Sequence, residues 1–192
     1  MTLSDRAKRY SLLFPKYPPL SATATWLYGI WMVGNYYKRK YNYYGGYPPS
    51  YLKRIYSLFP DKKQILHLFS GMVDKADANY GIRFDSKLIP QFTDVAGDVN
   101  QINNLFKPET FDLILADPPY TKEDFAQYQT KPFNKRQILK LLHPILKPGG
   151  FLVWLDLSIP IYSKINYKLV GTIGLLTGTN RKVRIISILE RQ

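Results

Sequence analysis

The sequence predicts an α/β fold, with a mostly parallel sheet, helices on both faces and an antiparallel hairpin at its C-terminal edge. Three observations predict it. Short apolar runs of strand character alternate with stretches of helical spacing, the pattern of a parallel sheet with both faces covered. The last two apolar runs follow one another with no helix between them, so they pair antiparallel. Four runs end in a glycine or an acid, as strands do where a ligand sits outside their carboxyl ends.

Taken in order, Pro48-Pro49-Ser50 opens a helix that runs to about Phe59, with Tyr51, Ile55 and Leu58 on one face. Gln64 to Phe69 is a buried strand, followed by a Ser70-Gly71 turn into a short helix. Tyr80 to Phe84 is a second strand ending at Asp85, and a weaker third lies near Phe92 to Ala96, before Gly97-Asp98. Phe111 to Ala116 is the clearest strand and leads into Asp117. Gln137 to Leu146 has helical spacing, with Pro144 as a kink or an early end. Lys147-Pro148-Gly149-Gly150 turns the chain into a strand over Phe151 to Leu155. Tyr167 to Leu176 and Val183 to Leu189 form the closing hairpin, with Thr179-Asn180-Arg181-Lys182 at its tip.

A chain of 192 residues suits one hydrophobic core. The reading divides it into a basic, tyrosine-rich N-terminal extension over residues 1–43 and a second domain over residues 44–192. No cysteine is present, which excludes disulfides, thiolate metal sites and cysteine nucleophiles. His67 and His143 are too far apart to suggest a zinc site. Met1 to Arg6 lacks the apolar core of a signal peptide, and the apolar run from Ala22 to Gly34 falls short of the ~20 residues that span a bilayer. The expectation is a cytoplasmic protein with no membrane partner.

The net charge of +13 is unevenly spread. Residues 1–60 carry +8, residues 61–130 carry −4 and residues 131–192 carry +9. Basic ends around an acidic middle fit a polyanionic partner, DNA or RNA, although a solvated basic surface would look the same. The first 60 residues hold eleven of the sixteen tyrosines. Within them Tyr36-Tyr37-Lys38-Arg39-Lys40-Tyr41-Asn42-Tyr43-Tyr44 interleaves rings for stacking on bases with cations for phosphates. Packing over the core is the other use for such a stretch.

The chemistry concentrates in Asp117-Pro118-Pro119-Tyr120. An exocyclic amino nitrogen of adenine or cytosine is a weak nucleophile because its lone pair is delocalised into the ring. A carboxylate and a main-chain carbonyl that accept its two N–H bonds help to localise that pair. Asp117 and the carbonyl of Pro118 are the candidate acceptors, the prolines stiffen the turn, and Tyr120 offers a face for an extruded base. His67 is read as a packed strand residue rather than a catalyst.

This order of motifs resembles the class I S-adenosylmethionine-dependent methyltransferases, in particular the D-P-P-Y amino-methyltransferases of DNA of N6-adenine type, over roughly residues 43 to 189. The resemblance implies a Rossmann-like sheet and S-adenosyl-L-methionine as cofactor. It implies that Tyr44 and Gly45 lie against the methionine part and that Leu68, Phe69, Ser70 and Gly71 form the loop after the first strand. Asp85 is placed like the acid on the ribose hydroxyls, Asp98 like the acid on the adenine amino group, and Asp117 beside the transferred methyl. His67 and Val73 depart from the family loop, which has an acid and a glycine there, and the early segment lacks the usual lysine.

Only eighteen residues separate Asp98 from Asp117, too few for a target-recognition region. Recognition therefore falls to the basic N-terminal segment, to the loop from Tyr120 to Asn134, or to a protein partner. An RNA base methyltransferase and a non-catalytic nucleic-acid-binding subunit are the competing readings.

Overall fold

A computed structural model describes residues 1–34, 46–178 and 183–192. Its elements are α1 (Leu3–Leu13), β1 (Ser21–Ala22), β2 (Leu27–Val33), α2 (Tyr51–Leu58), β3 (Ile65–Leu68), β4 (Ile82–Asp85) and β5 (Val95–Ala96). After a single 3₁₀ turn at Val99–Gln101 come α3 (Ile102–Leu105), β6 (Phe111–Ala116), α4 (Lys122–Tyr128), α5 (Lys135–Leu142), β7 (Leu146–Asp156), β8 (Tyr167–Thr177) and β9 (Val183–Arg191).

One sheet holds all nine strands of the described residues in the order β1-β2-β8-β9-β7-β6-β3-β4-β5. β5, β4, β3, β6 and β7 run parallel, and β9 lies antiparallel between β7 and β8. The fold is thus the expected one, mixed α/β with a mostly parallel sheet and a β8–β9 antiparallel pair. Beyond β8 the sheet continues, because β2 pairs parallel with it from Leu27↔Gly171 to Val33↔Thr177. Gly171 permits that approach: a Cβ there would stand 2.7 Å from the Leu27 carbonyl oxygen.

Successive residues of each strand point to opposite faces, which builds two cores. Leu113 and Leu115 join α1, α2 and the inner side of β2 on one face. Ile114 and Ala116 join Ile102 of α3 and Ile138, Leu139 and Leu142 of α5 on the other. The described part of the expected N-terminal extension is therefore built into the sheet and the first core. Arg6 of α1 fastens it, donating to the Leu58 carbonyl at the end of α2 and to both carboxylate oxygens of Asp61 at 2.6 and 2.9 Å. Tyr36 to Gly45, with the aromatic–cationic stretch, and the tip Thr179 to Lys182 lie outside the described residues.

Several elements differ from expectation. The chain from Ser70 to Gly81 forms turns rather than a helix, held by Arg83 Nη1 donating to the Val73 carbonyl and Lys75 Nζ to that of Gly81. The third strand shrinks to Val95–Ala96. The helix expected over Gln137 to Leu146 starts earlier, where Asn134 caps the Gln137 N–H, and ends at Leu142 because Pro144 cannot continue it. Leu146 is already strand, and Lys147-Pro148-Gly149-Gly150 bulges within β7 between the pairs Phe111↔Leu146 and Leu113↔Phe151. Gly149 takes φ +66° there, a conformation that glycine adopts without penalty. No helix lies between β7 and β8, only residues 157–166, and the outward side chains of β2, Tyr28, Ile30 and Met32, remain exposed.

Candidate functional site

Because β3, β4, β5 and β6 are mutually parallel, their carboxyl ends share one edge. That edge opens on a cavity of about 550 Å³, within the range of sites that enclose small ligands. Phe69, Gly71, Asp85, Asp98 and Asp117-Pro118-Pro119-Tyr120 line it, and the structure brings these sequence-selected residues together. Leu68 and Ser70 do not line it. Leu68 is buried in the second core, and Ser70 is buried with its N–H donating to the Phe84 carbonyl at 3.0 Å. Tyr44 and Gly45 lie outside the described residues, while the adjacent Gly46 lines the cavity.

The loop after β3 turns sharply, with Phe69 at φ +60° and Gly71 at φ +53°. For Phe69 this left-handed conformation costs about 1 kcal/mol. Its ring stacks on Phe133 at 5.1 Å with 6° between planes, which offsets that cost. Asp85 closes the loop: its Oδ2 accepts the Gly71 N–H at 2.9 Å and its Oδ1 accepts the Ser86 N–H at 2.7 Å. Oδ1 also accepts the Ser86 hydroxyl at 3.3 Å, whereas Oδ2 keeps a second lone pair for a ligand hydroxyl. Asp98 caps the 3₁₀ turn, with Oδ1 accepting from the Asn100 N–H and its side-chain amide at 2.9 Å each. Its Oδ2 has no partner among the described residues and suits an amino group. Phe84 and Val99 supply apolar walls beside these two acids. The two carboxylate acceptors and the cavity volume fit a nucleoside such as that of S-adenosylmethionine.

Beyond β6, α4 braces the next turn. Asp124 Oδ2 accepts the N–H groups of Tyr120 and Thr121 at 2.9 and 3.0 Å, and the Thr121 hydroxyl accepts the Asp124 N–H, a capping box that holds Tyr120 in place. The Tyr120 hydroxyl donates to Asp117 Oδ1 and accepts from Arg184 Nη1 at 3.1 Å. Lys135 from α5 pairs with Asp156 at the end of β7 at 2.7 Å, and Trp154 Nε1 donates to the same oxygen at 3.2 Å. Burial pushes the Asp117 carboxyl up to about 6. The Arg184 charge and the Tyr120 hydrogen bond pull against that rise, and Asp156 and Asp124 add to it. Asp117 thus titrates near neutrality.

His67 lies away from this cluster. It is fully buried, its Nε2 3.1 Å from both the Tyr56 hydroxyl and the Ala78 carbonyl, and burial lowers it to about 4, so it is neutral at pH 7. Among the described residues no helix is long and apolar enough to cross a membrane.

The architecture matches solved structures. TrmN from Thermus thermophilus superposes with a TM-score of 0.55 at 14% identity over 77% of this chain, which spans about half of the TrmN chain. YhhF from Escherichia coli, a proposed methyltransferase, gives a TM-score of 0.49 at 13% identity over 77% of this chain and 89% of its own. The antibiotic-resistance methyltransferase Kmr gives 0.37 at 11% identity over 67% and 87%. The fold is the Rossmann-like α/β fold of TrmN. No family model matches the sequence, and no curated protein matches it. The likeness therefore lies in the path of the backbone.

Within that fold further side chains reach the site unannounced by any motif. Arg184 and Phe133 line the cavity, while Lys135 and Asp156 form the ion pair behind Tyr120. Arg184 carries a faint signal, a cation at the start of β9 just ahead of the apolar pair Ile185-Ile186. Asp156 gains its position through the pairing of β7 with β9, Lys135 through its bond to Asp156, and Phe133 through its stacking on Phe69.

Proposed function

We propose that this chain transfers a methyl group from S-adenosylmethionine to an exocyclic amino group of a nucleic-acid base, with adenine N6 of DNA as the leading target. The observation that carries the reading is the Asp117 carboxylate at the mouth of β6, in one cavity with the Asp85 and Asp98 carboxylates. Asp85 and Asp98 would hold the ribose and the adenine of the cofactor, and Phe84 and Val99 would enclose the ring. When bound, the cofactor supplies an electrophilic methyl group on a positively charged sulfur.

The chain's own residues handle the target. Asp117 Oδ1 is taken by Tyr120, which leaves Oδ2 to accept one N–H of the amino group. The Pro118 carbonyl accepts no hydrogen bond among the described residues and is the second acceptor. Two acceptors in the amino plane favour a localised lone pair directed out of it, so rate comes from alignment and fixed charge rather than from a strong base. The proton shed afterwards passes to Asp117 Oδ2 or to water. The net charge of +13 supports a polyanionic substrate.

Labelled cofactor incubated with separate DNA and RNA pools, followed by nucleoside analysis, tests this reading. Label in N6-methyladenine of DNA is the expected result. Label in RNA alone would move the substrate, and none in either pool would favour a binding subunit. Asp117→Ala is expected to keep cofactor affinity and to lower turnover at least ~100-fold.

A further inference from the structure

We propose that Arg184, reaching from β9, is a positioning residue for Asp117 that acts through the hydroxyl of Tyr120. The inference rests on the reading of Asp117 as the acceptor of the target amino group, and it assigns a function to a side chain that no motif includes.

The geometry is a directed relay. A guanidinium has only donors, so Arg184 Nη1 occupies a lone pair of the Tyr120 hydroxyl at 3.1 Å. The hydroxyl proton is thereby committed to Asp117 Oδ1. Two consequences follow for the carboxylate. It cannot rotate without breaking the bond from Tyr120, so its other oxygen stays available to the cavity. It also feels a permanent cation at second hand. Polarity matters here, because a protonated Asp117 would present an O–H to the amino group where an acceptor is needed.

Among the described residues, the other groups around Asp117 do not supply that cation. Asp124 of α4 and Asp156 of β7 both oppose its ionisation. Lys135 is engaged with Asp156 at 2.7 Å, which limits the repulsion but leaves no free positive charge directed at Asp117. Tyr47 and Tyr51 of the α2 segment stack on each other at 4.8 Å and stay protonated, since burial raises both hydroxyls far above their usual range. Arg184 stands against these acids and against burial. A cation roughly 6 Å away in a medium of effective dielectric about 20 favours the ionised carboxylate by about 100-fold.

The test uses the full-length protein and the variants Arg184→Met, Arg184→Lys and Tyr120→Phe. The Asp117 carboxyl is titrated by carbon-13 NMR, with Asp117→Asn to assign the resonance, and kcat/KM for methyl transfer is measured from pH 5 to 9. Arg184→Met is expected to move the titration and the acid limb of the rate profile upward together. Its kcat/KM falls at least tenfold at pH 6.5 and recovers to within a few-fold at pH 9, with cofactor affinity unchanged. Tyr120→Phe moves both in the same direction, and Arg184→Lys restores most of the wild-type profile. An unmoved titration in folded Arg184→Met overturns the proposal. So does a loss of kcat/KM that is uniform across pH and accompanied by a flatter salt dependence, which marks a phosphate contact instead. Should Arg184→Met not fold, the same comparison between Arg184→Lys and Tyr120→Phe decides. A shifted titration in a protein that methylates neither DNA nor RNA supports the Arg184–Asp117 coupling and sinks the reading on which its role rests.

Discussion

Trp31 joins Arg6 in holding the N-terminal segment in the fold, and replacing it with alanine measures how firmly. Its indole is fully buried on β2, stacked on Tyr10 of α1 at 5.5 Å and set edge-on to Tyr51 of α2 at 6.3 Å. The Arg54 guanidinium lies 5.6 Å from the ring centroid and donates to the Met32 carbonyl at 3.1 Å. Truncating a buried aromatic to alanine costs about 3–5 kcal/mol in lost transfer energy and residual cavity. The indole N–H has no acceptor among the described residues, so its burial already carries a penalty of about 1–3 kcal/mol. That places Trp31→Ala near the lower end, about 3 kcal/mol. Trp31→Phe removes the unpaired N–H and keeps most of the ring contact, and is expected to cost less than about 1.5 kcal/mol. Urea unfolding followed by circular dichroism reads both as a shift in midpoint at constant slope. A loss below about 1 kcal/mol for Trp31→Ala would show that β2 and α1 are appended to the core rather than part of it.

Asp98→Ala is expected to weaken S-adenosylmethionine binding by about 1–3 kcal/mol in calorimetry, and unchanged affinity would move the adenine elsewhere. Asp94 tests the scaffold behind the cavity. It takes Arg83 Nη2 at 3.0 Å and Lys75 at 2.9 Å, and those bonds hold its carboxyl well below the usual range. Its contribution is therefore full above the unfolded carboxylate value near 4 and is lost as pH falls further, towards the depressed folded value. Asp94→Asn should cost about 3 kcal/mol at pH 7, because Arg83 is left buried without its counter-ion, and the gap to wild type should narrow below about pH 4.

What could be read in the sequence follows from where periodicity is local. β6 is legible because a strand buried on both faces is a continuous apolar run, and the four residues after it carry their own chemistry. The β8–β9 pair is legible because nothing of helical spacing intervenes. β2 is not. Leu27, Trp31 and Val33 point inward, but Tyr28, Ile30 and Met32 are apolar as well, so the alternation that marks a half-exposed strand is hidden. Its partner β8 also lies most of the chain away. The turns from Ser70 to Gly81 defeat helix propensity because Arg83, eleven residues beyond Met72, draws in the Val73 carbonyl. In the site, Asp85, Asp98 and Asp117 are found from their places at strand ends. Arg184 and Lys135 require the sheet order itself.

The pairing of β2 with β8 has a consequence for biosynthesis. At roughly 5–20 residues per second, a ribosome needs on the order of 10–30 s after making β2 to produce the strand it pairs with. Throughout that interval Leu27 to Val33 presents two apolar faces and an unsatisfied backbone edge, the form of segment that pairs wrongly with neighbouring chains. Early packing of α1 against α2, fastened by Arg6 and Asp61, would cover the inner face of that strand before the C-terminal hairpin emerges.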